Sequence, residues 1–402
     1  MRFPHDMQLR FVRLHRGTDR LRDCLRGCKL GFQQLRVVRA HLPRNLSPLR
    51  IESLHCLSLG RNTGMSLTPS PLLGCAVADA LGKPFETKPL NHPAINTWDG
   101  ESYLPGDYPN LPKPYHDTGE LLNRPGVPTD DTQMSRILAR SITDGSVSVR
   151  DGYVEWLRGE SFVGAPRGMG GTIRRTLVAH SKGEVPEDCD PTGPCGTGAA
   201  MRSGVLGMLD APLHVIIAMA SQDSAHTHPG HPEAKVTAAV MAAAVWYAKT
   251  HPLPMGFELY WDLSGFLFKE FNSQYPHSAT VWSLRLVDRL VREAYHRRAV
   301  FHQEVLDFPD DGVGVTASAI LVAAIAKNYK SGVGWAIRLG GDTDTRAAMV
   351  GTILGTRFGI GGPKGIPEKW VADLYEADTI KAEDAILNTP ETWAHAPRRD
   401  LE

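Results

Sequence analysis

The sequence predicts an all-α domain with long loops. Three observations carry that expectation: small and apolar residues recur at helical spacing in long runs, Gly- and Pro-rich stretches separate the runs, and alternating strand-like runs are few. The run "PLLGCAVADALG" over 71–82 reads as a small-residue helix. "TQMSRILARSI" puts Met134, Ile137, Leu138 and Ile142 on one helical face. "HPEAKVTAAVMAAAVWYAK" reads as an Ala-rich helix begun by Pro232. "WSLRLVDRLVREAYHRR" and "TASAILVAAIAKNYK" follow as helices over 282–298 and 316–330. In "TRAAMVGTILGTRFGI", Gly351 and Gly355 lie four apart, which lets another helix backbone approach closely. The loops are richest in Gly and Pro between 83 and 128, where function tends to sit.

The bulk numbers bound the class. The 402 residues allow one large domain or two ordinary ones. With 42% hydrophobic and 22% charged residues, the chain can bury a sizeable core. Lys+Arg and Asp+Glu both number 44, so no overall field favours nucleic acid or a membrane surface. The longest strongly apolar stretch, from Val236, is too short to span a bilayer. Six cysteines at 24, 28, 56, 75, 189 and 195 complete no zinc pattern and read as reduced thiols of a cytoplasmic protein. The balance hides an asymmetry. Residues 1–64 hold 13 basic and 4 acidic residues and show no sustained apolar face, so they read as a disordered basic leader ahead of a domain over 65–402. Acids at Asp6, Asp19, Asp23 and Glu52 argue against a transit peptide, and a start at Met65 is the plain alternative.

Two acidic turns raise the functional question. "TDDTQM" places Asp130 and Asp131 at a helix start after Pro128, with Gln133 spaced as in a capping box. Alone, it reads as Asp130 capping the helix and Asp131 favouring its dipole. "GGDTDTRAAMVG" repeats the theme with Asp342, Asp344 and Thr345. A cap needs one acceptor, and this turn supplies two carboxylates and two hydroxyls. Two such turns converging would suit hard cations, whose charge also relieves the repulsion between adjacent acids. An EF-hand is excluded because Arg346 and Ala347 stand where an oxygen ligand and Gly are required. "DTDTR" fails the aspartyl-phosphatase pattern at its last position. Glu86, just past the first helix, reads either as a third acid of the site or as an exposed loop acid. Asp79, amid small residues, reads as a packing group bonded to nearby backbone. In "GTGAAMR", Gly196 and Gly198 leave backbone N–H groups open at a helix start, which suits a phosphate. Arg202 reads either as a phosphate contact or as a buried structural pair, the structural role slightly favoured. His226 and His228 form an HxH pair with no third zinc ligand nearby.

The ordered set "GCAVADALGKPFE", "TDDTQM", "GTGAAMR", "AHTHP" and "GGDTDTRAAMVGTILGTRFG" resembles the ADP-ribosylglycohydrolase family, of the dinitrogenase reductase-activating type, over about residues 72–374. The resemblance implies a single compact orthogonal helical bundle that holds two divalent cations, Mg²⁺ or Mn²⁺. It implies metal ligands at Thr129, Asp130, Asp131, Asp342, Asp344 and Thr345. It implies catalytic roles for Glu86 and Asp131, and substrate contacts at Gly196, Thr197, Gly198 and His228. The chain departs from the family where Thr197 replaces an Asn and Ala78 replaces a Gly. The implied activity is metal-dependent hydrolysis of an N- or O-glycosidic bond to ADP-ribose, on a modified protein or small molecule. Nucleic acid and membrane are not expected as partners, and a monomer is. The competing readings are a catalytically silent ADP-ribose binder or structural relative, and another two-metal hydrolase.

Overall fold

The computed structural model describes residues 68–88, 92–106, 121–145, 147–190, 193, 195–250 and 310–389. The leader, the helix expected over 282–298 and much of the loop before Pro128 lie outside these residues. Among the described residues the elements are α1 (Pro71–Gly82), α2 (Pro93–Thr97), α3 (Asp130–Asp144), α4 (Val149–Arg158), α5 (Gly171–Ser181), α6 (Ala200–Ser203), α7 (Leu213–Ser224), α8 (Pro232–Thr250), α9 (Gly312–Ile325), α10 (Tyr329–Arg338), α11 (Thr343–Phe358), α12 (Glu368–Ala372) and α13 (Ala377–Leu387). Two short 3₁₀ turns, Lys83–Phe85 and Gly204–Met208, follow α1 and α6. No strand occurs among them, and one isolated bridge pairs Ile360 with Ile366. No described helix is long and apolar enough to cross a membrane.

Helix α1 lies at the centre, with every residue from Pro71 to Gly82 buried. Its small side chains make it a helix that can be surrounded, and α11 takes the closest face. A Cβ on Gly74 would press into the Gly351 carbonyl, and one on Gly355 would sit 2.5 Å from the Ser70 carbonyl. Backbone therefore touches backbone where the two helices cross, as the Gly351–Gly355 spacing anticipates. The crossing continues to the far end of α1. Gly82 abuts Thr343, whose hydroxyl donates to the Gly82 carbonyl at 2.9 Å. The start of α11 is thus fixed beside the end of α1.

Two buried aspartates cap helices from a distance. Asp384 on α13 accepts the N–H groups of Leu72 and Leu73 at 2.9 Å each, satisfying the first turn of α1. Burial pushes its carboxyl up to about 8, against those two donors. Asp79 on α1 does the same for α3, as described below. Helix α3 buries Met134, Ile137, Leu138 and Ile142 and stops at Gly145 in the left-handed region. The run expected to be one helix over 316–330 is two. Helix α9 ends at Ile325, and Asn328 opens α10 with a capping box in which its side chain accepts the Ser331 N–H at 2.8 Å. The local Asn–Ser hydrogen bonds compete with helix continuation and win there. Cys75, Cys189 and Cys195 are free thiols.

Replacing Gly351 with Ala should force α1 and α11 apart. The expected cost is about 1–3 kcal/mol, the usual range for overpacking a tight core. Urea or thermal unfolding of G351A against wild type measures it. An unchanged midpoint would contradict the backbone crossing.

Candidate active site

Asp79 organises the start of α3. Its carboxylate accepts the Thr129 N–H at 2.9 Å, the Thr129 hydroxyl at 2.9 Å, the Thr132 N–H at 3.2 Å and the Thr132 hydroxyl at 2.6 Å. Thr129 holds the N-cap position and accepts the Asp131 N–H at 3.4 Å. Capping is therefore done by Asp79 and Thr129, and Asp130 is not the cap. Gln133 closes no capping box either. Its side chain bonds to the loop at 163–167 instead. At the second turn, Asp342 occupies the N-cap of α11 without any side-chain cap bond. Neither acid pair is explained by its helix.

The Gly340–Gly341 turn presents the second pair. Both glycines have positive φ, 70° and 67°, a region that side chains avoid. The segment after α1 pairs with this turn: Thr87 donates to the Gly341 carbonyl at 2.9 Å, and Gly341 donates to the Lys88 carbonyl at 3.1 Å. Thr87 itself is left-handed at φ 63°. This holds the half-buried Glu86 against Asp342 and Asp344. Arg346, buried, braces the turn by donating to the Gly340 carbonyl, to Ser318 Oγ at 2.8 Å and to Asp310 Oδ1 at 3.4 Å.

These elements enclose a cleft of about 220 Å³. Its lining brings together Glu86, Thr129, Asp130, Asp131, Asp342, Asp344 and Thr345 on one side, and Gly196, Thr197, Gly198 and His228 on another. The Thr345 hydroxyl donates to Asp131 Oδ2 at 3.4 Å, across 214 positions of sequence. Sequence reasoning missed the wall formed by Gly168, Gly170, Gly171, Thr172, Ile173 and Met201. A run of glycines signals turns without saying what they face. Gly168, at φ 92°, comes so close that a Cβ there would lie 3.1 Å from Asp130 Oδ1.

The electrostatics are unfavourable by construction. Burial, together with repulsion from Asp79 and neighbouring acids, holds the Asp130 and Asp131 carboxyls well above the usual range. Burial and then Glu86 and Asp342 do the same to Asp344. Oδ1 of Asp131 and Oδ1 of Asp344 are buried and have no hydrogen-bond partner. Such atoms are rare in folded proteins and call for a partner the chain does not supply. No group of three or more His, Cys, Asp or Glu side chains among the described residues forms a ready-made cage for one ion. The donors present are spread along the cleft and mixed with Thr hydroxyls, a hard oxygen set.

Across the cleft, His228 is buried and its Nδ1 lies 3.0 Å from the Thr227 hydroxyl. Burial, with Arg202 nearby, lowers its pKa to about 3, so the ring is neutral. The ring packs on the glycine turn, where a Cβ on Gly198 would sit 3.1 Å from Cε1. His226 does not line the cleft. Arg202 is structural, as expected. It is fully buried, pairs with Asp223 Oδ2 at 2.8 Å, donates to the Gly198 carbonyl, and lies 5.0 Å from the Tyr153 ring centroid. The helix after the turn, α6, is a single turn of four residues.

Comparison with known proteins identifies the family. The sequence profile of the ADP-ribosylglycohydrolase family matches residues 71–396. The chain belongs to that family. It is an enzyme of the glycosidic-bond-hydrolysing kind, and the family implies an ADP-ribosylated substrate. A relative, the ADP-ribosyl-[dinitrogen reductase] glycohydrolase of Rhodospirillum rubrum, is 25% identical over 324 residues, covering 78% of this chain and 93% of the relative. The fold matches a solved structure titled ADP-ribosylglycohydrolase-related protein complex, with a TM-score of 0.55 and 24% identity over 80% of this chain and 96% of that one.

The raised carboxyls fix the sign of a pH effect. A carboxyl whose folded pKa exceeds its unfolded value favours the folded state at low pH and loses that contribution as pH rises through the raised pKa. Cation-free protein should therefore lose thermal stability between about pH 5 and pH 8, a window set by the raised carboxyls, including Asp384 at about 8. Asp344→Asn should flatten part of that slope and raise stability at pH 8 by about 1 kcal/mol, because it removes a buried charge without a partner. Thermal melts across pH in chelator check this, and a variant less stable than wild type at pH 8 would contradict it.

Proposed function

We propose that the cleft hydrolyses an N- or O-glycosidic bond at the anomeric carbon of an ADP-ribosyl group, using two divalent cations, Mg²⁺ or Mn²⁺. The observation that carries the cations is the pair of buried, partnerless oxygens, Asp131 Oδ1 and Asp344 Oδ1, opening on one cleft. Oxygen donors of Thr129, Asp130, Asp131, Asp342, Asp344 and Thr345 fit hard cations and would hold them. When bound, the cations would offset the clustered charge, orient a ribose diol and lower the pKa of water.

The chain's own groups account for the remaining chemistry. Glu86, half-buried, lines the cleft among the acids and serves as the base that takes a proton from the attacking water. The new bond joins the water oxygen to the anomeric carbon as the bond to the leaving nitrogen or oxygen breaks, through an oxocarbenium-like state. The proton held by Glu86 is then available to the leaving group. Asp131, in contact with Thr129 and Thr345, stabilises the positive charge developing on the sugar. Gly196, Thr197 and Gly198 offer backbone and hydroxyl groups to the diphosphate or ribose, and neutral His228 offers a ring nitrogen beside them. The Rhodospirillum rubrum relative is named for acting on ADP-ribosylated dinitrogen reductase, which supports a modified protein as substrate class here. A small molecule carrying the same group would meet the same cleft.

Arginine- and serine-linked ADP-ribosyl peptides, incubated with Mg²⁺, should release free ADP-ribose, and chelator should abolish the release. Asp342→Ala should lower the rate by about a hundredfold or more, as loss of a metal-holding residue does. Release that ignores chelator would sink the cation mechanism. No release from any ADP-ribosylated substrate, with ADP-ribose still bound, would leave a silent binder.

A further inference from the structure

Gln133 on α3 is completely buried. Its amide nitrogen donates to the carbonyls of Val163 at 2.8 Å and Ala165 at 2.9 Å, and its amide oxygen accepts the Arg167 N–H at 2.9 Å. All three partners are backbone groups of one loop. The pattern fixes the amide orientation, since a flipped amide would set N–H₂ against the Arg167 N–H. The loop leads directly into Gly168, where an added Cβ would lie 3.1 Å from Asp130 Oδ1, and on through Gly170 and Gly171 to the start of α5. One side chain, a single turn along α3 from the acid pair, thus ties the helix that carries the acids to the loop leading into the glycine wall of the cleft. Asp131 has separate anchors: Asp79 holds Thr129 and Thr132, Thr129 Oγ1 accepts the Asp131 N–H, and the Thr345 hydroxyl donates to Asp131 Oδ2.

We propose that Gln133 is a positioning residue that sets the width of the cleft between the acid pair and the glycine wall 168–173, and so sets affinity for the ADP-ribosyl group without setting affinity for cations. The inference rests on the function proposed above. Without Gln133, two carbonyls and one N–H of the loop lose buried partners and the wall must shift, while the acids stay seated on Asp79 and the threonines.

Calorimetry of Gln133→Met tests it, with Mn²⁺ titrated first and ADP-ribose titrated into the Mn²⁺-saturated protein. The expected result is ADP-ribose binding weaker by about tenfold or more, Mn²⁺ binding within about twofold of wild type, and a raised KM with kcat little changed. If Gln133→Met fails to fold, Gln133→Asn takes its place, because it stays neutral and polar but, one methylene shorter, cannot reach all three backbone groups. Equal losses of Mn²⁺ and ADP-ribose would overturn the inference in favour of a purely structural role, and so would unchanged ADP-ribose affinity. Wild-type protein that binds Mn²⁺ but no ADP-ribose would overturn the functional reading, and this inference with it.

Discussion

The approach of Gly74 to Gly351 and Gly355 brings the backbones of α1 and α11 closer than side chains would permit. The geometry of the cleft depends on that crossing. It sets Gly82 against Thr343, which fixes where α11 begins and so where Asp342 and Asp344 stand. From the same helix α1, Asp79 reaches the start of α3 and fixes where Asp130 and Asp131 stand. A single buried helix therefore registers both acid pairs, and its continuation carries Glu86 to the same place.

That arrangement works against stability. Three cleft carboxyls are held well above the normal range by burial and by one another. Two of their oxygens have no partner. A core optimised for folding alone would not keep them. Several other buried charges are matched: Arg202 to Asp223, Arg136 to Glu376 and Glu383, and Lys83 to the carbonyls of Arg124 and Val127. The cleft acids and Arg167, whose buried guanidinium nitrogens have no hydrogen-bond partner, are exceptions to that matching; at the cleft, strain of this kind accompanies function.

Much of this was legible because it is written in local spacing. The small-residue run of α1, the amphipathic face of α3 and the glycine pair of α11 each declare a helix and a packing mode in a dozen residues. The acid pairs stood out because each exceeds what a cap requires. What stayed hidden depends on partners far along the chain. Asp79 capping α3 from 50 positions away leaves no local sign, so local spacing alone credits Asp130 with a cap it does not make. Gln133 carried the spacing of a capping box and serves the loop at 163–167 instead. The wall at 168–173 contains nothing titratable, and its glycines matter only through what they approach. The break between α9 and α10, at Lys327–Asn328, carries no Gly or Pro to mark it.

The central claim is that two cations neutralise the acids gathered by α1. Anomalous diffraction from crystals soaked in Mn²⁺ tests it most directly. The account predicts two peaks in the cleft, between the Asp130–Asp131 pair and the Asp342–Asp344 pair, at a separation of roughly 4 Å. Crystals that show Mn²⁺ elsewhere on the surface and none in the cleft would contradict it.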